Sequence, residues 1–213
     1  MNAFKPLTDN QLDVVKEIGN IGAGHAATAM SQLLNRKVDM FVPSVRQVSL
    51  EEMTEIAGDK ETEIASVFLR ITGELPGSMF YILPPQQASH YLTLLTGAEM
   101  GTLEELAGSE MAVSTLLELG NILSGSYLSA LADFTGLTIQ PTVPSLAIDM
   151  AGAIIGDGLL EISQFSDYAI VIDTLFSEGS TAMNTPVKGH VLLLPDPVSY
   201  DTLFNVLGVS HND

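Results

Sequence analysis

The chain has 213 residues, 46% of them hydrophobic and only 16% charged, which is enough apolar material for a packed core and excludes a disordered segment. It contains no cysteine, so disulfides, thiolate metal sites and thiol nucleophiles are excluded. Its 26 acidic against 8 basic residues give a formal charge of −18, which disfavours nucleic acid and anionic lipid as partners.

The first residues, MNAFKPLTDNQLD, hold no apolar signal core. No run of about 18 apolar residues follows, so a cytoplasmic protein without membrane insertion is expected. Thr8 and Gln11 then form a capping box ahead of a long helix over 9–34. A short extended piece at 38–42 leads into a variable segment, where Glu51, Glu52 and Glu55 read as a solvated helix start. Alternating strands at 64–71 and 77–83 precede a helix that opens at proline, over 85–96.

Thr102 with Glu105 repeats the capping box before a helix or helix pair over 103–134. Gly108 is placed to bend or break it, and Gly136 to end it. An extended piece at 137–143 follows. Residues 145–156, SLAIDMAGAIIG, read as an apolar helix carrying Asp149 and packed as a core segment. Strands at 169–176 and 187–194 and a helix over 197–207 complete the chain. Helix, strands, helix, twice over, is an α+β pattern.

The order repeats because the sequence repeats. Shifted by 101 positions, Glu17, Gly19, Asn20, Ile21 and Gly24 meet Glu118, Gly120, Asn121, Ile122 and Gly125. Val42-Pro43-Ser44 likewise meets Val143-Pro144-Ser145. Near the end of each half a shift of 111 pairs YILPPQ, from Tyr81, with LLLPDP, from Leu192. The reading is a single domain over 1–213 made of tandem repeats, approximately 8–98 and 103–209. They are related by a pseudo-two-fold axis, share a largely antiparallel sheet, and set two long exposed helices on one face.

A helix turns about 100° per residue, which puts Asp13, Glu17, Asn20 and Gly24 on one narrow stripe. Val15, Ile18, Gly22, Ala26, Ala29 and Leu33 fall on the opposite, core-facing side. Ser114, Glu118, Asn121 and Gly125 form the matching stripe in the second half. A carboxylate and an amide on a wet helix face are ordinarily a solvated surface. Here most surface positions differ between the halves, as in Lys16 against Leu117, while Glu and Asn recur. Asparagine is also a poor helix-interior residue, so its repetition points to a role other than stability. Gly19 and Gly22 read as sites of close backbone approach. Gly24 and Gly125 leave the stripe flat enough for a partner to come near. His25, His90, His190 and His211 show no ligand spacing, so no metal site is expected, and His25 is placed at the edge of the apolar side.

These residues carry a resemblance over essentially the whole length. The spacing Asp or Ser, three residues, Glu, two residues, Asn occurs as Asp13-Glu17-Asn20 and as Ser114-Glu118-Asn121. With KEIGNIGAGHAATA, LELGNILSGSYLSALADF and PSLAIDM around it, the chain resembles the CheC family of bacterial chemotaxis phosphatases, kin to CheX and FliY and closest to CheC. CheX-like chains carry one such site, and FliM and FliN lack it. Where some members have proline downstream of the asparagine, this chain has Gly24 and Gly125.

The resemblance implies hydrolysis of the aspartyl phosphate of the response regulator CheY, with the receptor deamidase CheD as a second partner. It implies no cofactor on this chain, since the regulator supplies Mg²⁺ and a lysine. What such a reaction lacks is an oriented water, which an amide oxygen can hold in line. Asn20 and Asn121 are given that role. Glu17 and Glu118 pair with the regulator's lysine, Asp13 and Ser114 are supporting contacts, and Gly24, Gly125 and Asp149 are candidate partner surface. Such regulators are commonly acidic, so docking rests on local contacts. The alternative is a non-catalytic FliM-like or CheD-regulating interaction protein.

Overall fold

A computed structural model describes residues 6–97, 102–155, 168–178 and 186–208. The first helix, α1 (Asp9–Leu34), starts at the expected capping box: the Gln11 N–H donates to Thr8 Oγ1 and the Thr8 N–H to Gln11 Oε1. It ends at Asn35 in the left-handed conformation. Strands β1 (Val38–Phe41) and β2 (Val45–Ser49) lead into helix α2 (Leu50–Ala57), which has its own Ser49–Glu52 capping box. The hairpin β3 (Glu63–Gly73) and β4 (Gly77–Leu83) and helix α3 (Pro85–Thr96) complete the first half.

In the second half Gly108 separates α4 (Leu103–Ala107) from α5 (Glu110–Thr135), with Ser109 capping the new start and Gly136 the end. Strands β5 (Ile139–Pro141), β6 (Ser145–Met150), β7 (Tyr168–Glu178) and β8 (Val187–Pro195) precede α6 (Pro197–Val206). Residues 145–150 are therefore a strand, not the start of a helix, and helix begins only at 151. Leu146 and Ile148 are two apart and pack against the core, a strand period inside a segment whose overall apolarity reads as helix. Gly156, the last residue of that expected helix, lies outside the described residues.

All eight described strands join one sheet, every pairing antiparallel, along the path β1-β7-β8-β4-β3-β5, with β2 also on β7 and β6 also on β3. The connectivity is crossed. The hairpin β3–β4 of the first half is extended by β5 and β6 of the second, and β7–β8 by β1 and β2 of the first. Each half supplies the flank of the other, so neither can complete its sheet alone.

The halves meet where β4 pairs with β8, Phe80 opposite Leu192 and Tyr81 opposite Val191. Here the shift of 111 fails by one residue. It equates Tyr81, which faces the helix-side core, with Leu192, which faces the other. A shift of 112 matches Tyr81 to Leu193 on the same face and aligns the helix starts Pro85 and Pro197. A one-residue slip turns every side chain of a strand over, so burial, more strictly than letter identity, fixes the register.

The sheet is covered on both faces. One core lies under α1 and α5 and includes Val15, Ile18, Leu116, Leu119, Ile172 and Leu193. The other lies under α2 and residues 151–155 and includes Met53, Phe80, Val171 and Leu192. Glycines set the spacing of the helix layer. A Cβ on Gly22 would stand 2.9 Å from Tyr127 Cα, so α1 and α5 touch backbone to backbone there. A Cβ on Gly120 would stand 2.4 Å from Val67 Cγ1, so α5 sits directly on β3. Two expectations fail near the end of α1: Leu33 is 59% exposed, and His25 is exposed and not at a packed edge.

Candidate active site: two helix faces

With the apolar stripes of α1 and α5 committed to the sheet, the opposite faces turn to solvent. Asp13, Glu17 and Gly24 are exposed on α1, and Ser114, Glu118 and Asn121 on α5. Gly125 is half-buried, yet a Cβ at Gly24 or Gly125 would meet nothing within 4 Å. Both glycines therefore lie in open stretches of the surface. Gly24 also borders an open groove of about 810 Å³ that includes Thr28, Ser31, Val38 and Met40. Neither Glu17 nor Glu118 has a hydrogen-bond or ion-pair partner among the described residues. Both carboxylates are therefore available to a visiting cation.

In the second half, Ser114, Glu118 and Asn121 come together with residues 141–144 around an open groove of about 550 Å³. Among the described residues the Asn121 side chain has no hydrogen-bond partner. Its amide can offer two donors and two acceptor positions to whatever enters.

Asn20 differs. It was expected to face solvent, but it is half-buried and its amide is engaged. Nδ2 donates to the Lys16 carbonyl (3.0 Å) and the Val42 carbonyl (3.4 Å), and Oδ1 accepts from the Val42 N–H (2.9 Å). The repeated Val-Pro-Ser is no signal of this contact, since its second copy leaves the Asn121 amide unbonded among the described residues.

A polar cluster that the sequence reading did not identify fixes the segment after Val42. The Asp173 carboxylate is hydrogen-bonded by Ser44 Oγ and Arg46 Nη1, and its other oxygen lies 2.8 Å from His190 Nδ1. Burial pushes the Asp173 carboxyl up, but the His190 and Ser44 hydrogen bonds and the Arg46 charge outweigh it and hold it at about 2. Asp149, on β6, is exposed, and its Oδ1 accepts the Met150 N–H. It lies opposite Ile64 on β3, a residue of the core on the sheet face away from α1 and α5. Among the described residues no three His, Asp or Glu side chains converge as metal ligands, and no helix is long and apolar enough to cross a membrane.

A family model described as the CheC-like family matches residues 11–46 and again 111–148, one segment around each stripe. The CheY-P phosphatase CheC of Bacillus subtilis (strain 168) is 46% identical over 210 residues, which is 99% of this chain and 100% of that relative. The putative CheY-P phosphatase CheC1 of Halobacterium salinarum (strain ATCC 29341 / DSM 671 / R1) is 27% identical over 92% of this chain and 95% of its own. Among solved structures, Thermotoga maritima FliY shares the fold with a TM-score of 0.71 at 21% identity, over 96% of this chain and 99% of that one. With two matched segments and nearly half of all positions identical across the full length of a CheC, this chain belongs to the CheC-like family.

Proposed function

We propose that this chain is a phosphatase that hydrolyses the aspartyl phosphate of the response regulator CheY. The observation that carries the reading is the pairing, on each exposed helix face, of a partnerless glutamate with an asparagine three residues on. The 46% identity to a CheY-P phosphatase over the whole chain supports it. The water oxygen attacks phosphorus, the bond from phosphorus to the aspartyl oxygen breaks, and the carboxylate leaves. Little covalent help is needed beyond positioning and charge neutralisation.

In this proposal Asn121 and Asn20 are the water-orienting groups, each through its amide oxygen. Glu118 and Glu17 act as fixed charges toward the regulator's lysine, and Mg²⁺ belongs to the regulator. Ser114 and Asp13, one turn back on each stripe, are supporting contacts. Gly24 and Gly125 admit the regulator's surface. We extend the proposal to CheD as a second partner. The support is the exposed run on β6 around Asp149, where Met150 is 49% exposed.

The test is CheY-P dephosphorylation by the wild type and by the Asn20→Ala/Asn121→Ala double variant. Removing the water-orienting group from both sites should lower the rate about 100-fold, as loss of one transition-state group does elsewhere. Full activity in the double variant refutes the site assignment. A wild type that binds CheY-P without hydrolysing it establishes the interaction-protein reading.

A further inference from the structure

Asn20 and Asn121 share a sequence context but not an environment, and the difference originates in the sheet. Strands β1 and β2 both lie on β7. Between the pairs Phe41↔Leu175 and Val45↔Ile172, residues 42–44 face only residues 173 and 174. Strands β5 and β6 make the same bulge on β3: between Pro141↔Ile71 and Ser145↔Phe68, residues 142–144 face residues 69 and 70. An extra residue of this kind redirects side chains locally.

The repeated Val-Pro-Ser fills these bulges differently. It is residues 42–44 in the first, but the second holds Thr142, Val143 and Pro144, so the phrase is shifted by one position. Val42 therefore turns inward and is 2% exposed, whereas Val143 turns outward and is 90% exposed. A Cβ on Gly19 would stand 3.3 Å from Val42 Cγ2, while the matching space at Gly120 is taken by Val67. Thr142, in the first position of the second bulge, sends its N–H to the Arg70 carbonyl at 2.9 Å, away from Asn121. The first bulge is also pinned, because the Asp173 N–H donates to the Ser44 carbonyl at 3.0 Å and the Asp173 side chain holds Ser44 and Arg46.

We propose that the two sites are unequal because the main chain at Val42 withholds Asn20, so that Glu118 and Asn121 carry most of the hydrolysis. This rests on the phosphatase reading above. An amide has two donors and two acceptor positions. At Asn20 both donors and one acceptor position are occupied by Lys16 and Val42. Its oxygen can orient a water only in the direction Val42 leaves open, or after three hydrogen bonds break. Asn121 meets neither condition and is ready as it stands.

The test compares single-site proteins. Asn20→Ala leaves only the second site and Asn121→Ala only the first. CheY-P hydrolysis by the former should exceed that by the latter about fivefold, the factor set by releasing roughly one net hydrogen bond. Because Asn20→Ala also disturbs Val42, Glu17→Ala and Glu118→Ala, at exposed partnerless positions, are measured beside it and should show the same order. Independently, the side-chain amide protons of Asn20 should exchange with solvent more slowly than those of Asn121 in ¹⁵N-labelled protein. Equal single-site rates with an inactive double variant overturn the inequality alone. A faster first site, or equal amide exchange, does the same. Full activity in the double variant overturns the phosphatase assignment and this proposal together.

Discussion

The contrast between the two asparagines makes a stability prediction that is separate from catalysis. Asn20→Ala removes both partners of the Val42 peptide and leaves its N–H inside the protein at a residue 2% exposed. Stranding such a donor costs about 1–3 kcal/mol. Alanine returns roughly 0.5 kcal/mol because it is the better helix former. The net effect is a loss of about 0.5–2.5 kcal/mol. Asn121→Ala gives the same propensity gain and breaks no hydrogen bond among the described residues, so it should stabilise by roughly 0.5 kcal/mol. For a chain of this size 1 kcal/mol moves Tm by about 2–4 °C. Thermal unfolding followed by circular dichroism should therefore show Tm falling by about 1–10 °C for the first variant and rising by about 1–2 °C for the second. Shifts of the same sign and size at the two positions would refute the reasoning, because they would mean that Val42 does not hold Asn20.

Glycine substitutions should separate the buried contacts from the open face. Gly120→Ala forces a methyl group into Val67 and should cost about 1–3 kcal/mol in chemical denaturation, as overpacking does. Gly125→Ala meets nothing and should gain up to about 1 kcal/mol, while slowing CheY-P hydrolysis if the regulator docks on that face. The Asp173 carboxyl titrates at about 2 in the folded chain against about 3.9 when unfolded. Its stabilisation is complete above the unfolded value and is lost as the pH falls from about 4 to about 2. Asp173→Asn should flatten that part of the stability profile; an unchanged profile would show that the carboxylate contributes nothing there. With −18 on this chain there is no long-range attraction to an acidic regulator such as the resemblance implies, so added salt should leave the encounter rate unchanged or raise it modestly in stopped-flow binding. A steep fall with salt would show attraction in place of local docking.

Much of the architecture is local in origin and could be read from residue order. Thr8–Gln11 and Thr102–Glu105 place helix starts because a capping box involves four consecutive residues. Gly136 places an end because it takes the left-handed conformation that closes α5, while Gly108 ends α4 in an ordinary right-handed one. The two stripes follow from the helical period alone, and Asp13, Glu17, Ser114, Glu118, Gly24 and Gly125 face outward as that period requires. The misreadings occur where the answer depends on residues far away in the chain. Residues 145–150 are a strand because β3, some 80 positions earlier, offers them an edge, and their apolarity does not encode that partner. Leu33 is exposed although it continues the inward stripe of α1, a position the helical period alone cannot correct.

The most consequential case is Asn20. Its helix position and its Glu–Asn phrase match those of Asn121, and the sequence by itself leaves open how the two sites share the work. Only tertiary structure separates them, through a bulge register that differs by one residue between the β1–β2 and β5–β6 edges. That register is set by pairing with strands from the opposite half of the chain, β7 for one and β3 for the other. A single position along a strand decides whether a valine points in or out, and with it whether the neighbouring amide is bound or free.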